Sequence, residues 1–161
     1  VDSLRALFGK LRPGDPAPDF TAIDTASVTH ALADFKGQYV YLDFWATWCG
    51  PCLREIPSTQ ALEERLQAQR DDIVFIGLSQ DSDTSRWRRM VREKHLPGIQ
   101  LNQNQDWQSP AFLAYAIKSI PAYVLIGPDG RILNLTAPRP SAEETYGYLR
   151  DLPPAQAHSQ D

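Results

Sequence analysis

Asp43-Phe44-Trp45-Ala46-Thr47-Trp48-Cys49-Gly50-Pro51-Cys52 is the stretch on which the reading of this chain turns. An apolar, β-prone run from Tyr39 to Trp45 ends in it, and a helical run begins. Such a near-continuous apolar run is the pattern of a central strand buried on both faces. The two cysteines of the chain stand at the junction, at positions i and i+3. In the first turn of a helix that spacing puts both side chains on one side. They are near enough to close a disulfide or to stand as two reactive thiols. Gly50-Pro51 suits a sharp entry into the helix, because a proline's missing N–H costs nothing in the first turn. Cys49 then sits at the helix N-terminus, where unpaired N–H groups and the macrodipole favour a thiolate. A free thiol with a pKa of ~8.5 is a few per cent ionised at neutral pH, whereas one near ~7 is half ionised. The stretch therefore reads as a dithiol/disulfide exchange site.

Two other readings compete. A zinc site needs two more ligands at suitable spacing. There is no third cysteine, and His30, His95 and His158 are scattered singly. A purely structural disulfide closing so short a loop would restrict the unfolded chain little. Exchange chemistry between sulfurs calls for no cofactor and no metal.

Trp48-Cys49-Gly50-Pro51-Cys52 after an apolar strand carrying an acid resembles the active site of the thioredoxin superfamily. The longer run from Phe44 to Pro57, with Leu53-Arg54-Glu55-Ile56 inside it, resembles the TlpA/ResA-like thiol-disulfide oxidoreductases of the bacterial envelope. The lead-in Pro13-Gly14-Asp15-Pro16-Ala17-Pro18-Asp19-Phe20 carries the same likeness, which spans roughly residues 13 to 150.

The 161 residues fit one domain with a sizeable core. A formal charge of −4 gives no electrostatic reason to expect nucleic acid or an anionic membrane as partner. The chain starts at Val1, and nothing near it reads as a signal peptide or spanning helix, so it is read as a mature or trimmed form. Residues 1–152 are taken as a single domain, with an N-terminal extension over 1–35, a core over about 36–150 and a disordered polar tail over 153–161.

Residues 2–9 have the spacing of a short helix. Phe20 to Ile23 and Val28 to His30 read as a hairpin at a sheet edge, followed by a short turn of helix at Leu32 to Phe35. Residues 50–69 read as a long helix kinked by Pro57. Glu55, Thr59, Leu62 and Leu66 form one stripe, which turns Glu55 inward. An acid on an apolar stripe is a conflict that calls for a function. Ile73 to Leu78 is the next buried strand, and Asp81-Ser82-Asp83 supplies caps for a helix over about 83–95. Its Arg86, Arg88, Arg89 and Arg92 read as a solvated face. Residues 96–108 read as loop with a short strand near Ile99 to Leu101, anchored by Trp107. A helix from Ser109-Pro110, the strand Ala122 to Ile126, a tight turn into Arg131 to Leu135 and a helix over 141–150 complete the chain. The order implies an α/β thioredoxin-like fold: a mixed central sheet, helices on both faces and an N-terminal β-hairpin extension.

The resemblance implies that Cys49 attacks a partner's disulfide and that Cys52, deeper and less ionised, resolves the mixed disulfide. It implies a cis-proline at Pro121, with Ile120, beside the dithiol. Trp48, Gly50, Pro51, Ile120 and Pro121 would form the surface that meets the substrate. Asp43 matches the buried acid of thioredoxin, and Glu55 the active-site glutamate of the envelope group. Many of that group carry Asn at the position of Asp43, so Glu55 is expected to serve Cys52 more than Asp43 does. Expected partners are cysteine-containing proteins and an upstream dithiol donor. The expected setting is the periplasm or envelope, and the expected state a monomer. Gly-Pro between the cysteines favours a reductant. The peroxiredoxin-like alternative lacks its Pro-x-x-x-Thr-x-x-Cys motif, since Thr47 precedes Cys49 by two. A redox-quiet docking module of a larger chain is the third reading.

Overall fold

The structure, a computed structural model, describes residues 10–156; the expected helix over 2–9 lies outside them. Seven strands form one sheet: β1 (Thr21–Ile23), β2 (Thr29–Ala31), β3 (Tyr39–Trp45), β4 (Ile73–Ser79), β5 (Ile99–Asn102), β6 (Ala122–Ile126) and β7 (Ile132–Asn134). Their spatial order is β2-β1-β5-β4-β3-β6-β7. β3, β4 and β5 run parallel, and the flanking pairings are antiparallel. The helices are α1 (Gly50–Arg54), α2 (Ile56–Gln67), α3 (Thr84–Glu93), α4 (Pro110–Ala114) and α5 (Thr145–Arg150).

The alternation of β3 sets the two cores. Val40, Leu42 and Phe44 join Ile76, Leu78, Val124 and Ile126 on one face, beneath Phe112 and Tyr115. Tyr39 and Tyr41 join Phe75, Tyr123 and Leu125 on the other, beneath Leu62 and Leu66 of α2 and Leu149 of α5. Side chains on a strand alternate, so Asp43 points with Tyr39 and Tyr41 toward α2. Antiparallel pairing of Phe44 with Ala122 then carries Ile120 and Pro121 to the C-terminal end of β3.

The structure corrects several expectations. The short strand expected near Ile99 to Leu101 is present as β5, and it lies inside the sheet between β4 and β1. The long helix is two helices meeting at Glu55, and Pro57 sits in the first turn of α2, where it breaks no interior bond. Asp83 caps α3 by accepting from Arg86 N at 3.0 Å, while Asp81 is buried at the end of β4. The last helix, α5, begins at Thr145 rather than at residue 141. The described part of the expected tail is anchored. Pro153 O accepts from Tyr39 Oη at 2.7 Å, and Ala155, whose N–H donates to Asp72 at 2.8 Å, is buried. Arg88 is tied to the β1–β2 turn through Thr25 O and Ser27 Oγ, while Arg86, Arg89 and Arg92 are exposed.

Candidate active site

Cys49 is the N-cap of α1, with extended backbone, and its Sγ accepts from Cys52 N at 3.2 Å. Gly50 and Pro51 fill the exposed first positions of α1. The cysteines form a disulfide, with their Cα atoms 5.3 Å apart. Both are 5% exposed, so the expected difference in depth does not separate them in this oxidised form. Cover comes from the other side of the sheet end. The Ile120-Pro121 bond is cis, and Ile120 O lies 3.8 Å from Cys49 Sγ. An oxidised sulfur has no proton, so this is a contact rather than a hydrogen bond.

Beneath Cys52 the sheet opens. Asp43 pairs with Gly77 on β4, and Gly77 pairs with Gln100 on β5, so the three form one row across the sheet. Gly77 has no side chain, and Gln100 folds into the space: a Cβ there would stand 2.3 Å from Gln100 Oε1. The result is a cavity of about 30 Å³, lined by Asp43, Cys52, Gly77, Gln100, Tyr41 and Thr59 among others. A cavity of that size holds a water molecule. Asp43 as a residue is half-buried, because part of it lines the cavity, yet its Oδ1 is sealed from solvent with no hydrogen-bond partner. Gln100 Oε1 is in the same condition. Burial first, and the nearby charge of Glu55 second, push the Asp43 carboxyl up to about 7.

Glu55 turns inward as its stripe requires, with a side chain 14% exposed. Its carboxylate, however, is engaged away from the dithiol. Oε1 accepts from Ser141 N at 2.9 Å and Oε2 from Ser141 Oγ at 2.7 Å. Arg139 Nε stands 3.9 Å from Oε2. Its oxygens thus meet Ser141 and Arg139, and Glu55 is not among the residues lining the cavity beneath Cys52.

Trp48, next to Cys49, is 49% exposed. Trp107 is 38% exposed, its ring centroid 6.3 Å from that of Trp48 and edge-on to Phe112. The sequence marks Trp107 as a loop anchor, and its place beside the site was missed. Nothing in the local pattern shows that a 3-10 turn at Asp106–Gln108 brings it there.

The Redoxin family model matches residues 12–149. The thiol-disulfide oxidoreductase ResA of Geobacillus thermodenitrificans is 28% identical over 143 residues, covering 88% of this chain and 78% of the relative. A crystal structure from Bacteroides vulgatus is 42% identical with a TM-score of 0.76, covering 88% of this chain and 96% of that one. The thioredoxin domain of a thiol-disulfide oxidoreductase from the same organism is 26% identical, again with a TM-score of 0.76, covering 87% of this chain and 96% of that one.

Proposed function

This chain belongs to the Redoxin family and is a thiol-disulfide oxidoreductase, and on that premise we propose that it works as a reductant of partner-protein disulfides. Cys49 thiolate attacks one sulfur of the partner's disulfide, and the other sulfur leaves as a thiolate. Cys52 then attacks Cys49 Sγ, which releases the partner as a dithiol and leaves the Cys49–Cys52 disulfide. Two electrons pass from the pair to the partner, and an upstream dithiol donor restores them. Cys49 N-caps α1, where the Cys52 N–H can donate to a thiolate as it does to the disulfide sulfur.

The observation that carries the reading is the buried, unpartnered Oδ1 of Asp43, a residue that lines the same cavity as Cys52. Held near pH 7, it can take the Cys52 proton as the mixed disulfide resolves and return it when the pair is reduced again. Gln100, whose Oε1 is also buried without a partner, lines the same cavity and would hold a water between them. Asp43 is thus assigned the role expected of Glu55, and Glu55 acts on it by like charge. Negative charge beside a dithiol disfavours its thiolates, which supports electron donation over oxidation.

Cysteine-containing proteins are the substrate class that the family implies. We assign the chain to the bacterial envelope and to a monomeric state on its likeness to the ResA group. Among the described residues no helix is long and apolar enough to cross a membrane. Trp48, Trp107, Ile120 and Pro121 form the surface that a partner meets on its way to Cys49.

Reduction of insulin disulfides with a small dithiol as donor tests the reading, run beside a peroxide-consumption assay. Catalysed insulin reduction is expected; peroxide consumption without it would overturn the proposal. In the same assay Trp107→Ala should raise KM for the protein substrate roughly tenfold. Exchange with glutathione disulfide, which brings no folded protein surface to pack on Trp107, should stay within about twofold.

A further inference from the structure

We infer that Asp81, remote in sequence from the dithiol, is a positioning residue that fixes the approach to Cys49 and holds the pair at the reducing end of its range. The inference rests on Cys49 being the nucleophile. Asp81 is 3% exposed and follows the end of β4. Its Oδ2 accepts from Thr47 N at 3.0 Å and its Oδ1 from Thr47 Oγ1 at 2.7 Å. Ser79 Oγ donates to Oδ2 at 2.5 Å.

The bonding around Ser79 directs its hydroxyl proton at the carboxyl. Ser79 Oγ accepts from Asp81 N at 2.9 Å and from Asn102 Nδ2 at 3.1 Å. Both of its lone pairs are then used, so its one proton is directed at Asp81. Thr47 supplies two further donors, and both carboxylate oxygens therefore receive hydrogen bonds. The carboxyl is buried and held in a fixed place.

Thr47 lies two residues before Cys49, so a Cα span of no more than about 7 Å separates them. The carboxylate therefore does two things. It locks the segment Thr47-Trp48-Cys49 onto the end of β4, which aims Trp48 outward and Cys49 toward Ile120. It also ties a buried carboxylate to Thr47, two residues before the attacking sulfur. The nearby cation is Arg54, whose Nη1 stands 3.5 Å from the point a Gly50 Cβ would occupy. Arg54 is exposed, so water screens it far more than the sealed carboxylate.

The sign of the effect follows. A buried anion raises the thiol pKa of Cys49. A less stable thiolate makes the dithiol form give up its electrons more readily. Neutralising Asp81 should lower that pKa and weaken the reductant. For a thiol falling from about 7 to about 6, the equilibrium of dithiol plus glutathione disulfide with protein disulfide plus two glutathiones shifts about fivefold toward the protein dithiol at pH 7.

The test measures Cys49 thiolate absorbance against pH, together with the glutathione equilibrium, for wild type, Asp81→Asn and Thr47→Val. Asp81→Asn should lower the Cys49 pKa and move the equilibrium by about that factor. Thr47→Val removes a donor but keeps the charge, so it should raise the pKa. The opposite directions separate an electrostatic role from a general loosening. An unmoved pKa in Asp81→Asn, or a fall in both variants, would overturn the inference. If Asp81→Asn does not fold, the rise in Thr47→Val decides alone, and an unchanged or lowered value overturns it. Alkylation of wild type adds the control: modification of Cys52 first would remove the nucleophile assignment itself. Cys49 modified first beside an unmoved Asp81→Asn would remove the role of Asp81 alone.

Discussion

Cys49→Ser should lower the rate of disulfide reduction by on the order of a thousandfold or more, to the level of the donor dithiol acting alone. Cys52→Ser should instead stop after the first chemical step and accumulate a mixed disulfide between Cys49 and the partner. The asymmetry comes from position along the helix, not from depth, since the two cysteines are equally covered when oxidised. Cys49 Sγ faces the Cys52 N–H, a donor that stabilises charge on it. Mass analysis of trapped complexes reads the result directly. Trapping by Cys49→Ser through Cys52 would reverse the roles.

Asp43→Asn should give a slower enzyme and a more stable protein. Without a carboxyl to take the Cys52 proton, resolution of the mixed disulfide should slow by roughly 10²-fold at pH 7 and lose its rise through neutral pH. Stability should move the other way. Burial pushes Asp43 from its ordinary 3.8 up to about 7 in the folded protein. Below 3.8 the group is protonated folded and unfolded alike, and burial leaves no charge unsolvated. As pH rises from there through about 7, the unfolded chain releases its proton first, so the stability present at acid pH is progressively lost. Asn does not titrate and escapes this loss. The gain from Asp43→Asn should therefore grow across that window, toward an upper bound on the order of 4 kcal/mol above it. Thermal unfolding at acid and at alkaline pH would show it as a pH-dependent rise in Tm. Glu55→Gln should behave differently. It removes a like charge, so the rate profile should slide to lower pH with its height largely kept. A collapsed Glu55→Gln profile beside an intact Asp43→Asn profile would return the role to Glu55.

Much of this architecture is legible from local pattern. The apolar run of β3, the Cys-Gly-Pro-Cys junction and the stripe that turns Glu55 inward are each written in neighbouring residues. Pro121 opening β6 is too, and the cis bond is found there. What was not legible depends on contacts across the chain. Glu55 meets Ser141 from 86 positions away, and no periodicity on α2 announces that partner. The stripe correctly points Glu55 inward but cannot say that its oxygens are already occupied. The row Asp43–Gly77–Gln100 exists only once the register of β3, β4 and β5 is set. Gly77 then changes from a small residue in a strand to the reason a cavity lies under Cys52. Asp81 reads as a helix cap beside Asp83, and only folding separates the exposed cap from the buried anion. β5 has four residues between polar loops, too short a run to advertise an interior strand.

Equilibration of the wild-type Cys49–Cys52 pair against glutathione at pH 7 tests the central claim most directly. A dithiol with the Asp43 carboxyl in the cavity beside Cys52 and Asp81 bonded to Thr47 should have a potential near that of thioredoxin, about −270 mV. A value near about −120 mV, as for a strong oxidant whose reduced form is stabilised, would contradict it and turn the proposed electron flow around.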